Sequence, residues 1–171
     1  MCEHTSVSTA YVDEAVHQLR EGLRKIQHCL SQLDEQQMWW RPHEAQNSIA
    51  NLMLHLGGNL RQWIISGVGR VPDVRNRLSE FAEHGPIPKR DLLEGLTETV
   101  DTAIRTLHER AADRLLELQR IQGFETTVLS AIFHSVSHFI GHVQEIISLS
   151  RQQLGSDYKF DFIPQTKEQG V

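Results

Sequence analysis

Apolar residues recur along most of this chain at steps of three and four, a spacing that commits it to packed amphipathic helices. In the first stretch Val12, Val16, Leu19, Leu23, Ile26, Leu30 and Leu33 follow steps of 4, 3, 4, 3, 4 and 3. Asp13, Glu14, Arg20, Glu21, Arg24 and Lys25 fill much of the remaining surface, so residues 9–33 read as a bundle helix. Pro42 disfavours helix at Arg41, and Asn47 or Ser48 can cap a second helix over 48–66. Its apolar set is Ile49, Leu52, Met53, Leu56, Leu60, Trp63 and Ile64, beside a polar stripe of Asn51, His55, Asn59 and Gln62. A third helix begins near Pro88–Asp91, with Asp91 and Glu94 placed as a capping box, and runs to about Ile121 before Gly123 stops it. Thr126 or Thr127 opens a fourth, which reaches Leu154 ahead of Gly155.

Between the second and third helices, residues 67–90 hold three prolines and a short helical turn around Leu78–Ala82. Bundle connections are usually shorter, which marks this one as a crossover or a functional segment. After the fourth helix, Tyr158, Phe160 and Phe162 alternate with Lys159 and Asp161 in a segment expected to lie over the bundle or across a dimer partner. No stretch carries a convincing strand pattern. The expected fold is all-α: a four-helix bundle with a long connection between helices 2 and 3 and an extended C-terminal tail. It forms one domain over 1–171, with the bundle at about 9–154 and the tail at 155–171.

A net charge of −5 argues against a nucleic-acid surface, and no apolar run is long enough to span a membrane. The start, MCEHTSVSTA, lacks the basic and apolar blocks of a secretory signal. The two cysteines, Cys2 and Cys29, make no disulfide framework, so a cytoplasmic protein with reduced thiols is expected.

The fourth helix is unusual in what it leaves out. Between Thr126 and Ser150 its only formal charge is Glu145. One face holds Leu129, Ile132, Phe133, Val136, Phe139, Val143 and Ile147; the other holds Ala131, His134, Ser135, His138, Gly141, His142 and Glu145. A solvated face would carry lysines and arginines, so both faces are expected to be covered, with the imidazoles turned to a partner or a cavity.

Residues four apart on a helix lie about 6 Å apart along its axis and can converge on one ion, whereas residues eight apart, about 12 Å, cannot. At most one adjacent pair can therefore share a metal: His134 with His138, or His138 with His142. His55, on the apolar second helix, is the natural third ligand, since a neighbouring bundle helix is only ~8–10 Å away. Glu145, His134 and Asn59 are the candidates to orient a ligand ring or serve as acid or base. The competing reading is that these histidines are core residues bonded to Ser, Asn or backbone carbonyls.

The stretches "RPHEAQNSIANLMLHLGGNLRQWI" and "HSVSHFIGHVQEI", in this order and with the W-R-P turn before the first, resemble the DinB-like superfamily of four-helix-bundle metalloproteins, which includes the YfiT-type proteins. The resemblance covers nearly the whole chain. It implies a metal triad of His55, His138 and His142, with His134 outside it. One departure concerns the family's frequent H-x-G-Q run, which here reads His142, Val143, Gln144, Glu145, placing an acid where the glutamine would be. The resemblance further implies a divalent metal (zinc, nickel or iron), a homodimer, and for some relatives metal-dependent transfer of a low-molecular-weight thiol.

The resulting expectation is a metal-dependent enzyme activating a thiol or water for transfer to a small molecule, with no cofactor beyond the metal. Arg70, Arg75 and Arg77 in the long connection are candidates to hold a substrate carboxylate, Arg75 and Arg77 foremost. The alternatives are a non-catalytic metal- or small-ligand-binding module, or a dimeric scaffold on the same bundle.

Overall fold

The computed structural model describes residues 6–163 and 165. Cys2, and the tail at 164 and 166–171, lie outside the described residues. The fold is all-α. Four long helices make the bundle: α1 (Val7–Leu30), α3 (Ile49–Leu60), α5 (Lys89–Arg110) and α6 (Val128–Leu154), with shorter α2 (Glu35–Trp39) and α4 (Arg77–Ala82) in the connections. α1 packs on α5 and α6, and α3 on α5 and α6, around a core that includes Leu19, Ile26, Leu56, Leu60, Leu107 and Phe139. Among the described residues no helix is long and apolar enough to cross a membrane.

Helix starts follow local chemistry. Ser48 accepts from Asn51 N while the Asn51 side chain reaches back to Ser48 N, a reciprocal cap that opens α3. Thr127 caps α6 through Ser130 N. α3 does not end at residue 60 but widens into a π-helix over Arg61–Val68, which buries Trp63 and Ile64.

Expectations about two helices, α5 and α6, are corrected here. α5 stops at Arg110, and the stretch expected to continue it forms a β-hairpin instead: β1 (Leu118–Ile121) pairs antiparallel with β2 (Phe124–Thr127), Ile121 opposite Phe124. Its turn puts both Gln122 (φ 52°) and Gly123 (φ 83°) in the left-handed region, the geometry that matches the twist of a two-residue hairpin. Leu115, Leu118 and Ile121 imitate a helical seam, yet Leu118 is exposed. The start of α5 differs too: Pro88 is its N-cap and no side chain caps it, so Asp91 and Glu94 form no capping box.

The second correction concerns α6, which is not covered on both faces. Its buried arc runs through Ala131, Ile132, Ser135, Phe139, Val143 and Ile146. Phe133 lies about 100° round the helix from Ile132 and is 66% exposed.

The long connection and the tail are both held by polar contacts. Asn51 Nδ2 donates to the carbonyls of Glu80 (3.0 Å) and Glu83 (2.9 Å), and Arg41 donates to Asn51 Oδ1 (2.9 Å) and to the Glu83 carbonyl (3.1 Å). These bonds satisfy the end of α4 and fix it beside α3. The tail lies along α1: Lys159 N donates to Gln32 Oε1 (2.7 Å), the Lys159 carbonyl accepts from His28 (2.6 Å), and Asp161 pairs with Arg24 (3.0 Å). Tyr158 is buried there, while Phe160 and Phe162 are exposed.

Candidate metal centre

His55 projects from α3, and His138 and His142 project one turn apart from α6. One ring nitrogen of each lies within 4.8 Å of the other two, close enough for the three to hold a metal ion. Nitrogens that each sit ~2.0–2.1 Å from one ion are no more than about 4.2 Å apart, so small ring rotations suffice. The rings pack edge to face, with centroids 4.9 Å (His55–His138), 5.1 Å (His55–His142) and 4.5 Å (His138–His142) apart.

The donor chemistry fits a cation. A ligating histidine needs a neutral ring with a free lone pair. Burial, with His142, His55, His134 and Arg75 close by, lowers His138 to a pKa of about 4, which leaves it neutral near pH 7. His142 Nδ1 is 2.7 Å from Glu145 Oε2, so a proton on Nδ1 bonds the acid and Nε2 stays open. His55 Nδ1 is likewise 3.0 Å from Glu80 Oε2, with its Nε2 turned 2.8 Å from His138 Nε2.

The other candidate residues separate clearly. His134 is outside the triad: its ring is exposed, lies against Trp63 (centroids 4.1 Å) and stacks over His138 at 6.0 Å. Asn59 is buried, but its Oδ1 accepts from Ser135 Oγ (2.8 Å), tying α3 to α6 rather than touching a ligand ring. Arg70 pairs with Glu117 (2.7 Å), away from the histidines. Arg77 is exposed, with its guanidinium 4.9 Å from the Phe81 ring centre; Phe81 in turn packs on His55.

Arg75 is bonded inward. Expected at the substrate, it has a side chain only 3% exposed and committed to Glu80, donating from Nε to Oε1 (2.7 Å) and from a terminal nitrogen to Oε2 (2.8 Å). A third donation reaches Gln62 Oε1 (2.9 Å), so its nitrogens are bonded internally. Glu80 itself is the residue that sequence reasoning missed. Burial alone would raise its carboxyl, but the Arg75 and His55 hydrogen bonds outweigh that and hold it below the usual carboxylate range. The available signal was the pair Gly57–Gly58 inside an apolar helix: a Cβ on Gly58 would meet Glu80 Oε1 at 1.9 Å and Arg75 Nε at 2.8 Å.

The fold has a solved counterpart. A conserved protein from Enterococcus faecalis superposes with a TM-score of 0.71 at 14% identity, covering 84% of this chain and 97% of the other. At that identity the likeness speaks for the fold alone. No curated protein matches the chain. The sequence does match a family profile, over residues 6–167, and the chain therefore belongs to the family described as "Protein of unknown function (DUF1572)".

Proposed function

We propose that this chain is a DinB-like metalloprotein whose site, built from His55, His138 and His142, activates a thiol or water for transfer to a small molecule. The observation that carries the reading is the convergence of three imidazole nitrogens from two helices to within 4.8 Å. A divalent ion held by three neutral ligands, with coordination positions left open, supplies the positive charge that makes a water or thiol nucleophilic near neutral pH. Imidazole suits zinc, nickel and iron alike.

The chain's own residues define what surrounds that chemistry. Glu145 and Glu80 fix the ring orientation of His142 and His55. Phe81 covers one edge of His55, and Arg77 stands over it as an exposed cation suited to a substrate carboxylate. Trp63 packs on His134, whose ring stacks beside His138.

Elemental analysis of protein purified without chelator or histidine tag tests the reading. About one metal per chain is expected, lost in His55→Ala, His138→Ala and His142→Ala but kept in His134→Ala. A metal-dependent rate of thiol addition to a dinitrophenyl electrophile then separates an enzyme from a metal-binding module. Absence of metal, even after zinc, nickel and iron are offered, sinks the proposal.

A further inference from the structure

The buried Glu80–Arg75 pair sits directly behind one of the three histidines. Resting on the metal reading above, we infer that Glu80, locked by Arg75, is a positioning residue: it accepts the Nδ1 proton of His55 and so aims the His55 Nε2 lone pair into the site, without itself being a ligand.

The contacts around His55 decide its tautomer. Nδ1 has two close neighbours, Glu80 Oε2 at 3.0 Å and a terminal nitrogen of Arg75 at 3.1 Å. If the proton were on Nε2, the Nδ1 lone pair would face a carboxylate oxygen, two acceptors in contact with side chains 6% and 8% exposed. With the proton on Nδ1, the same contact is a charge-assisted hydrogen bond. The Arg75 nitrogen does not need Nδ1 as an acceptor, because it already donates to Glu80 Oε2 at 2.8 Å. His55 Nε2 is then the acceptor in its 2.8 Å contact with His138 Nε2, which points the lone pair at the other ligands.

Arg75 explains why Glu80 orients rather than binds. Both carboxylate oxygens accept from the guanidinium in a fork geometry, which neutralises the charge and fixes the plane. Glu80 belongs to α4 and Arg75 to the loop before it, whereas His55 belongs to α3. The long connection thus supplies the orienting partner for the one ligand that α6 does not carry. His142 has the same device built locally, through Glu145 three residues on.

The double variant Arg75→Met/Glu80→Met removes the acceptor and its counter-charge together, a replacement that buried ion pairs often tolerate without loss of stability. Two readouts follow: zinc affinity by competition with a chromophoric chelator, and the ring-nitrogen NMR shifts of His55 in metal-free protein. The expected result is a ~10–100-fold weaker zinc affinity, with the His55 proton moving toward Nε2. A folded double variant with unchanged affinity and unchanged His55 tautomer overturns the inference. Should the double variant fail to fold, Glu80→Gln is measured instead. A several-fold affinity loss in a folded protein supports the inference, and unaltered affinity overturns it. Failure of the metal reading looks different: the unmodified protein then binds no zinc, nickel or iron, while the tautomer shift in the variant still reports the positioning contact.

Discussion

His55 Nδ1 and Glu80 Oε2 face one another across 3.0 Å, with Arg75 sealing the carboxylate from behind. The contact joins α3, which carries a candidate ligand, to α4, which lies in the connection most unlike the rest of the bundle. Changes in that connection should therefore be felt at the three histidines, and the close packing of Gly58 offers a direct way to apply one.

A methyl group on Gly58 would sit 1.9 Å from Glu80 Oε1 and 2.6 Å from its Cδ. Alanine is the better helix former by about 1 kcal/mol, so in an open position Gly58→Ala would stabilise α3. Here the overlap must push the carboxylate out of its fork with Arg75, and overpacking of this kind costs about 1–3 kcal/mol. Urea unfolding of the metal-free variant should show a net loss of stability, together with weaker zinc binding. A variant as stable as its parent would mean that α4 yields freely and that the Glu80 contact is soft.

Glu145 provides a contrasting case. It bonds His142 at 2.7 Å, but its side chain is 44% exposed, so the pair contributes little to stability. Glu145→Gln should leave the unfolding curve within about 0.5 kcal/mol of the parent, while weakening zinc affinity by less than the loss expected at Glu80. Chelator competition on the two variants side by side orders them. An effect at Glu145 larger than at Glu80 would contradict the greater importance given to the buried partner.

The difference between these two acids also explains how far the sequence could be read. Glu145 was legible because it stands three residues after His142 on the same helix, where side chains must meet. The histidines were legible because imidazoles on apolar helices need partners. Glu80 was not, since only the path of the long connection brings it to His55, 25 residues away in sequence. The partner of Arg75 was hidden for the same reason: an arginine in a loop reads as free to hold a substrate carboxylate until its buried acceptor, Glu80, is known. The hairpin was hidden by Leu115, Leu118 and Ile121, whose three-residue spacing copies a helix, and Gly123 alone gave no sign of which turn it served.

Acid should destabilise the metal-free protein through His138. Its pKa lies at about 4 in the fold against 6.5 ordinarily, because burial and the neighbouring His142, His55, His134 and Arg75 disfavour the proton. The unfolded chain therefore binds more protons than the folded one between these values, and stability rises with pH across that window. Above about 6.5 this contribution is fully present; as pH falls toward 4 it is lost, by about 1–2 kcal/mol once solvent screening of the half-buried ring is allowed for. Unfolding free energies of the parent and of His138→Gln, measured from pH 7 to pH 4, should diverge by that order. Parallel curves would place His138 in a more solvated setting than its packing implies.

Asn59 and Ser135 test whether the polar stripe of α3 is a single functional unit. Ser135 Oγ donates to Asn59 Oδ1 at 2.8 Å, and both residues are buried between α3 and α6. Ser135→Ala removes the donor and leaves a buried acceptor unpaired, which costs about 1–3 kcal/mol. Since neither group touches a ligand ring, zinc affinity of the folded variant should stay within about twofold of the parent, a change of less than about 0.5 kcal/mol. Each polar residue of the stripe would then have its own role, with Asn51 clamping α4, His55 facing the metal site, Asn59 fastening the helices that hold it and Gln62 accepting from Arg75. A Ser135→Ala protein that keeps its stability but loses zinc would reverse that division, making Asn59 part of the site after all.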